Sequence, residues 1–322
     1  MMLGQNEDSQ QLAIVKQKYG FDKPIGTQYL YYLNDLSPIS FHSTSSNDYT
    51  FLSPNKYEAS EIFTIGTTVT AIKFPYLRES FTKQGKKVSE VLKETLPNTF
   101  VLASAAIIIA ILIGICLGVV SALKKDTWLD KAIQVLSTLG MSVPSFFSAI
   151  LFAWLFGYVL HKYTNLEMTG SLYELDDFGE TMTIKWKNLI LPAIVLGIRP
   201  LAVVIQLMRN SLLEVFNQDY IRTARAKGLS EFQIIKKHAI KNAMNPVITA
   251  ISGWFASMLA GAVFVEYIFG WNGLGKEIVN ALNTLDLPVI MGSVLIISVM
   301  FIIINIFVDV IYSWLDPKVS LQ

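Results

Sequence analysis

The chain has 322 residues, 52% of them hydrophobic and only 16% charged, with a net charge of +1. Soluble domains carry roughly 25% charged residues and the mean hydropathy here is +0.45, so the composition argues against an ordinary soluble enzyme and excludes a disordered chain. The balanced charge leaves no basic excess for a nucleic acid, the single Cys116 cannot close an internal disulfide, and His42, His161 and His238 are too scattered for a metal cluster.

The first region is polar. Residues 9–19, SQQLAIVKQKY, have the spacing of a short amphipathic helix with Leu12, Val15 and Tyr19 on one stripe. Gly20 can cap its end and Pro24 stops it. Ile25 to Leu36 predicts a second helix. Ser37 to Phe74 is rich in Ser, Thr, Asn and aromatics, and its stretch Phe63–Phe74 is strand-like in its β-branched content.

The apolar residues beyond are gathered into runs. Thr99–Leu123 carries no charge in 25 residues. Ala132–Leu160 follows, interrupted only by Pro144 and a few small polar residues. Leu189–Met208 holds a single charge, Arg199. Pro246–Gly270 has Glu266 near its end, and Pro288–Leu315 has Asp309 near its end. Each run can cross roughly 30 Å of hydrocarbon at about 1.5 Å per residue. A buried soluble helix can mimic one such run but hardly five.

Loop charges set the orientation. The loop after the first run has Lys124, Lys125 and Lys131 against Asp126 and Asp130. The loop after the third is strongly basic, with Arg209, Arg222, Arg225, Lys227, Lys236, Lys237 and Lys241 against three acids. The loop after the second is acidic, with Glu167, Glu174, Asp176, Asp177 and Glu180. The positive-inside rule then puts the first two loops and the C-terminus in the cytoplasm and the acidic loop outside. Residues 1–96 must also lie outside, yet Met1 to Gln10 is polar and resembles no targeting segment. The charge pattern therefore predicts a further apolar span upstream, the alternative being that the first visible span draws its own N-terminus across.

The segment Glu214–Pro246, EVFNQDYIRTARAKGLSEFQIIKKHAIKNAMNP, predicts two short helices. Asp219 can cap the first, which ends at Lys227, and Gly228 supplies the turn. Ser230 and Gln233 form a capping box for the second, which ends near Asn242. Asn245-Pro246 starts the next span, with the proline at its favoured first position. Such a pair could present a rigid knob to a partner, or be a solvated basic loop.

The residues separate these readings. DYIRTARAKGLS with HAIKNAMNPVIT resembles the signature cytoplasmic loop of ABC-importer permeases, in particular the dipeptide/oligopeptide/nickel branch. Gly261–Leu282 (GAVFVEYIFGWNGLGKEIVNAL), Asn305–Val319 (NIFVDVIYSWLDPKV), Leu96-Pro97-Asn98-Thr99 and Gly20–Leu33 (GFDKPIGTQYLYYL) are similar to the same family, in the same order. The resemblance implies an all-α polytopic membrane protein of the type I importer class in the bacterial plasma membrane. It has an external segment over 1–96, a permease domain over 97–315 with a coupling loop at 209–245, and a cytoplasmic tail at 316–322. Family members have six spans, the first at the extreme N-terminus, so five are visible here. The Ser37–Phe74 stretch is longer than the family's usual connection.

The resemblance further implies a second permease subunit, two cytoplasmic ATPase subunits, an external solute-binding protein, and no cofactor. Asp219, Tyr220, Arg222, Thr223, Ala224, Arg225, Ala226, Lys227 and Gly228 would then couple to the ATPase. The solute would be a di- or oligopeptide, with nickel or opine-like solutes as alternatives.

Gly270–Glu277, GWNGLGKE, imitates a phosphate-binding loop but fails as one. Glu277 replaces the Ser/Thr that would ligate magnesium, no strand precedes it, and it lies on the outer face. Arg199, Glu266 and Asp309 are candidates for the solute path or for structural pairing. Glu266 and Asp309 sit where water or headgroups can solvate them; Arg199 lies deeper. Gly114 with Gly118, and Gly253 with Ser257 and Gly261, are small-residue stripes suited to close packing. Pro144, Pro192 and Pro200 are expected to kink spans or interrupt their ladders. A self-sufficient secondary transporter would show paired half-repeats, and a membrane enzyme a catalytic cluster within the spans; neither is visible.

Overall fold

The computed structural model describes residues 16, 19–46, 48–176 and 179–315, excluding the side chains of 260, 261, 309 and 311–315. The Leu12/Val15 stripe and the tail at 316–322 lie outside the described residues. The chain forms two compact units. One comprises 1–93 with 281–292, and the other 94–280 with 293–322.

The first unit contains α1 (Ile25–Leu36) as expected, and a three-stranded antiparallel sheet of β1 (Ile39–Ser43), β2 (Ala59–Ile65) and β3 (Thr68–Lys73) in the order β1-β3-β2. The single strand expected over Phe63–Phe74 is instead a hairpin. Gly66, at φ 59°, takes the left-handed turn that reverses the chain between Ile65 and Thr68. The centre of this unit is polar. Asp35, only 1% exposed, accepts hydrogen bonds from Tyr49 Oη (3.0 Å), Tyr57 Oη (2.8 Å) and Arg78 Nε (2.9 Å). Lys73 Nζ donates to the Asp35 and Ser37 carbonyls. Aromatic and basic side chains from the Ser37–Phe74 stretch and its flank thus converge on Asp35, which makes that stretch a folded element. Asp286 is held in the same unit by Ser80 Oγ, Thr82 Oγ1 (2.8 Å) and the Phe81 N–H (3.1 Å).

The second unit is helical. α2 (Val88–Leu123) and α12 (Leu287–Leu315), whose first residues (88–93 and 287–292) belong to the first unit, and α6 (Lys187–Val215) are long and apolar enough to cross a bilayer. α3 (Trp128–Ser142) and α4 (Ser145–Phe152) form a pair with the π-helical turn Ala153–Val159, bent by 106°. The bend follows from Pro144: the residue before a proline is driven extended, and Val143 sits at φ −78°, ψ 130°. The segment from α5 (His161–Thr164) leads to a small hairpin, β4 (Tyr173–Leu175) with β5 (Met182–Ile184). After α6 come α7 (Asp219–Ala226), α8 (Glu231–Ile234), a π-helical turn over Ile235–Ala239, α9 (Ile240–Gly261), α10 (Val263–Phe269) and α11 (Leu274–Asn283). The α8–α9 stretch with α10 makes a second bent pair, at 56°. Counting each bent pair as one span, the described residues hold up to five spans.

Two sequence expectations need correction. Pro246 does not open a helix; it lies inside α9. Ile234, Ala239, Ala243 and Val247 are all 0% exposed on one stripe, and their common burial carries the helix through the proline despite the lost N–H. Gly114 and Gly118 do face a close neighbour, since a Cβ at either would come within 2.7 Å of Val204 or Met208 on α6. Gly253, however, has nothing within 4 Å, and Ser257 is exposed, so these two positions of the other stripe are not closely packed within this chain.

Candidate functional site

The basic loop folds as a helix pair. α7 starts one residue before Asp219 would need to cap it: the N-cap is Gln218, without a side-chain bond, and Asp219 is in the first turn. There its charge favours the helix N-terminus, and Arg222 Nη1 meets it at 3.4 Å. α7 ends in a left-handed Gly228 at φ 77°, with Gly228 N–H bonded to the Arg225 carbonyl (2.9 Å) and Leu229 N–H to Ala224 (3.3 Å). The predicted capping box is present: Gln233 N–H reaches Ser230 Oγ, and Ser230 N–H reaches Gln233 Oε1 at 3.1 Å. Arg225 Nε bridges the turn to Glu231 Oε1 at 2.9 Å. Both groups are substantially exposed, so this pair contributes at most about 1 kcal/mol.

The pair has two faces. Ile221 (0% exposed), Ala224 (6%) and Ile234 (0%) pack into one cluster with Met208, Leu212 and Val215 of α6 and Ala243 and Val247 of α9. Burying side chains of this size is worth roughly 1.5–3 kcal/mol each for the larger ones, so the knob is fastened to two spans. The outer face is left to solvent: Tyr220, Arg222, Thr223, Arg225, Ala226, Lys227 and Gly228 are exposed, as is Phe232, with Lys236 Nζ 5.9 Å from its ring centre. Tyr220 Oη also accepts from Asn242 Nδ2 at 3.1 Å, tying α7 to α9. Of the nine loop residues singled out, Ala224 faces inward and the other eight face outward.

The three ionisable candidates separate. Glu266 is not solvated: it is 0% exposed. Its Oε1 accepts from Thr99 Oγ1 (2.7 Å), and its Oε2 from the N–H groups of Gly275 (2.7 Å) and Lys276 (3.2 Å). Thr99 Oγ1 in turn accepts from Leu274 N–H at 2.8 Å, and Trp271 Nε1 donates to the Asn98 carbonyl at 3.0 Å. The GWNGLGKE loop therefore does cradle an acidic group at a helix N-terminus, but the group is this chain's own Glu266 side chain. Arg199 lies on α6 against a cavity of about 210 Å³, its Nε buried without a hydrogen-bond partner among the described residues. The side chain of Asp309 lies outside the described residues.

Besides the Asp35–Arg78 pair of the first unit, sequence reasoning missed a pair in the second. Asp130, 3% exposed in its side chain, and Arg209, 18% exposed, form an ion pair joining the start of α3 to α6. Nothing along the chain announces a partnership across 79 residues; both charges read as loop charges. Among the described residues no group of three or more His, Cys, Asp or Glu could hold a metal ion.

Residues 114–321 match the model of the family described as binding-protein-dependent transport system inner membrane component. The dipeptide transport system permease protein DppB of Alkalihalophilus pseudofirmus is 33% identical over 332 residues, covering 99% of this chain and 89% of the relative. DppB of Bacillus subtilis is 39% identical over 243 residues, covering 76% and 74%, and a putative peptide permease of Brucella suis biovar 1 is 38% identical over 244 residues, covering 76% and 75%. A solved structure described as an inward-facing conformation of the MetNI methionine ABC transporter superposes with a TM-score of 0.56 at 14% identity, over 71% of this chain and 97% of that one, which supports the shared fold. With the family model covering well over half of the chain and the relatives matching along most of its length, the chain belongs to the binding-protein-dependent transport system inner membrane component family.

Proposed function

We propose that this chain is the permease subunit of an ATP-driven peptide importer, and that α7, Gly228 and α8 form its coupling knob for a separate ATPase. The observation that carries the proposal is the division of the knob into a buried face fixed to α6 and α9 and an exposed face of Tyr220, Arg222, Thr223, Arg225 and Lys227. A rigid element of this kind converts closure of an ATPase cleft into movement of the two attached spans. The names of the relatives support peptides as the solute.

In this reading two ATPase subunits sit on the basic face, which the positive-inside rule makes cytoplasmic together with the tail at 316–322. Residues 1–96 and the acidic loop face outward, where a solute-binding protein delivers its cargo. Residues 97–315 supply half of the path in the bacterial plasma membrane, and a second permease supplies the other half. The test is dipeptide uptake into vesicles holding the complex assembled from these subunits. Uptake that requires ATP and all the subunits supports the reading. Uptake of nickel or an opine in place of peptide reassigns the solute, and uptake by this chain alone overturns it.

A further inference from the structure

Arg199 is an uncompensated cation within a span. It lies thirteenth in the 29 residues of α6, about 18 Å along the axis at about 1.5 Å per residue. Its guanidinium stays charged in any protein environment, and a charge at this depth is costly unless something answers it. Among the described residues no acid does: Nε is buried and unbonded, in a side chain that is half-buried as a whole. The adjoining cavity of about 210 Å³ has no acidic residue in its lining. Its remaining polar side chains are Ser145, Ser148, Ser257 and Trp254, which are hydroxyls and one indole able to donate hydrogen bonds. The other walls are aliphatic, with Val195, Leu196 and Met258 buried. At about 30 Å³ per water the space holds roughly seven waters, enough for a carboxylate and the small residue that bears it.

We propose that this cavity is a recognition site for the free carboxylate of the transported solute, with Arg199 as its anion-binding residue. Resting on the peptide-permease reading, the inference goes beyond it by naming the chemical group the path reads. A guanidinium meets a carboxylate through two parallel hydrogen bonds, and in an apolar surround that pairing is strong and directional. The donors beside it complete the shell of a carboxylate, which only accepts. A solute lacking the negative end offers Arg199 no counter-charge.

The test replaces Ser257 with cysteine in a Cys116→Ser background and uses the assembled transporter in phosphatidylcholine vesicles, where no anionic lipid can supply the counter-charge. The labelling rates of 2-sulfonatoethyl and 2-trimethylammonioethyl methanethiosulfonate are compared. The anionic reagent is expected to react about tenfold faster, relative to its rate on a free thiol, because the field of a nearby cation concentrates it. Arg199→Gln abolishes that preference and Arg199→Lys retains it. Alanyl-alanine slows labelling and alanyl-alaninamide does not. Equal preference with Arg199 in place and in the Arg199→Gln variant, or equal protection by acid and amide, overturns the proposal, as would be found were Arg199 already paired with an acid of the second permease. If Arg199→Gln fails to assemble, the acid-against-amide comparison decides alone. An Arg199-dependent anion preference in a complex that takes up no peptide keeps the carboxylate site and removes the peptide assignment.

Discussion

Arg209 grips Asp130 with two hydrogen bonds, Nε to Oδ1 at 2.8 Å and Nη2 to Oδ2 at 2.7 Å. Asp130 is further held by Ser121 Oγ (2.5 Å) and the Asp126 N–H (2.9 Å), so every lone pair direction on one carboxylate is used to join α2, the turn after it, α3 and α6. The pair lies close along α6 to Met208 and Leu212, which anchor the knob. Removing one partner leaves a buried charge unmatched, at a cost of about 3–5 kcal/mol. Arg209→Met is expected to lower the thermal midpoint of the purified complex sharply, and Asp130→Asn added to it to restore much of the loss. A double variant no better than the single one would show that the two residues do not act as a pair.

Gly228 concerns backbone conformation alone. A Cβ there meets nothing within 4 Å, but φ is 77°. Gly228→Ala should cost about 1–2 kcal/mol from the left-handed conformation, and the β-branched Gly228→Val more. The strain falls on the turn between α7 and α8, so transport per ATP hydrolysed should drop while membrane insertion stays normal. Measuring uptake and hydrolysis on the same vesicles checks this.

Gly273 and Glu266 form a close fit. A Cβ on Gly273 would collide with the Glu266 carboxyl carbon and Oε2. Gly273→Ala therefore forces the cradle apart, at about 1–3 kcal/mol. Glu266→Gln keeps the shape but turns one acceptor into a donor facing the Gly275 or Thr99 donor, at about 1–3 kcal/mol. Both variants should unfold at lower temperature. With its anion site filled from within, the purified chain should bind no ATP, which equilibrium dialysis with labelled nucleotide will show.

The first unit should be sensitive to alkali in a definite order. Burial pushes Lys56 down to about 8 despite the attraction of Asp35, and burial raises Tyr49, Tyr57 and Tyr76 above the usual phenol range. A lysine depressed in the fold is a burden while charged, so stability increases as pH rises from about 8 towards the ordinary lysine value near 10.4. Phenols raised in the fold act oppositely: their contribution is complete below about 10 and falls away above it. Asp286 is lowered, because the hydrogen bonds from Ser80, Phe81 and Thr82 outweigh the penalty of burial. Its contribution is present above about pH 4 and lost in acid. Burial lowers Lys73 as well, so amide-exchange protection over residues 49–76, corrected for intrinsic rates, should rise and then fall between about pH 8 and 11, and Lys56→Met should reduce the rise to the part that Lys73 supplies.

The spans were legible because apolar runs of about 20 residues have few other uses, and the knob because Gly228, Ser230 and Gln233 are local signals read within one turn. What was hidden depended on partners far along the chain. Glu266 read as a solvated span end because its three donors come from Thr99, Gly275 and Lys276, two of them backbone groups with no signature of their own. Asp35 drew no notice because its aromatic and basic partners are scattered from Tyr49 to Arg78. The hairpin within Phe63–Phe74 was marked by Gly66, whose turn-forming role the β-branched neighbours masked. Pro246 misled because the proline rule for helix starts yields to a continuous buried stripe.

The most direct test of the coupling-knob account is a cross-link from its outer face. Thr223 is exposed on α7, while Tyr163, 83% exposed, belongs to the opposite side of the membrane in the proposed topology. Thr223→Cys in a Cys116→Ser background, treated with a short bifunctional thiol reagent in the assembled and transporting complex, is predicted to join this chain to the ATPase subunit, with a yield that changes when ATP is added. Tyr163→Cys is predicted to give no such product. A transporting complex in which Thr223→Cys never reaches the ATPase, or Tyr163→Cys does, would contradict the account.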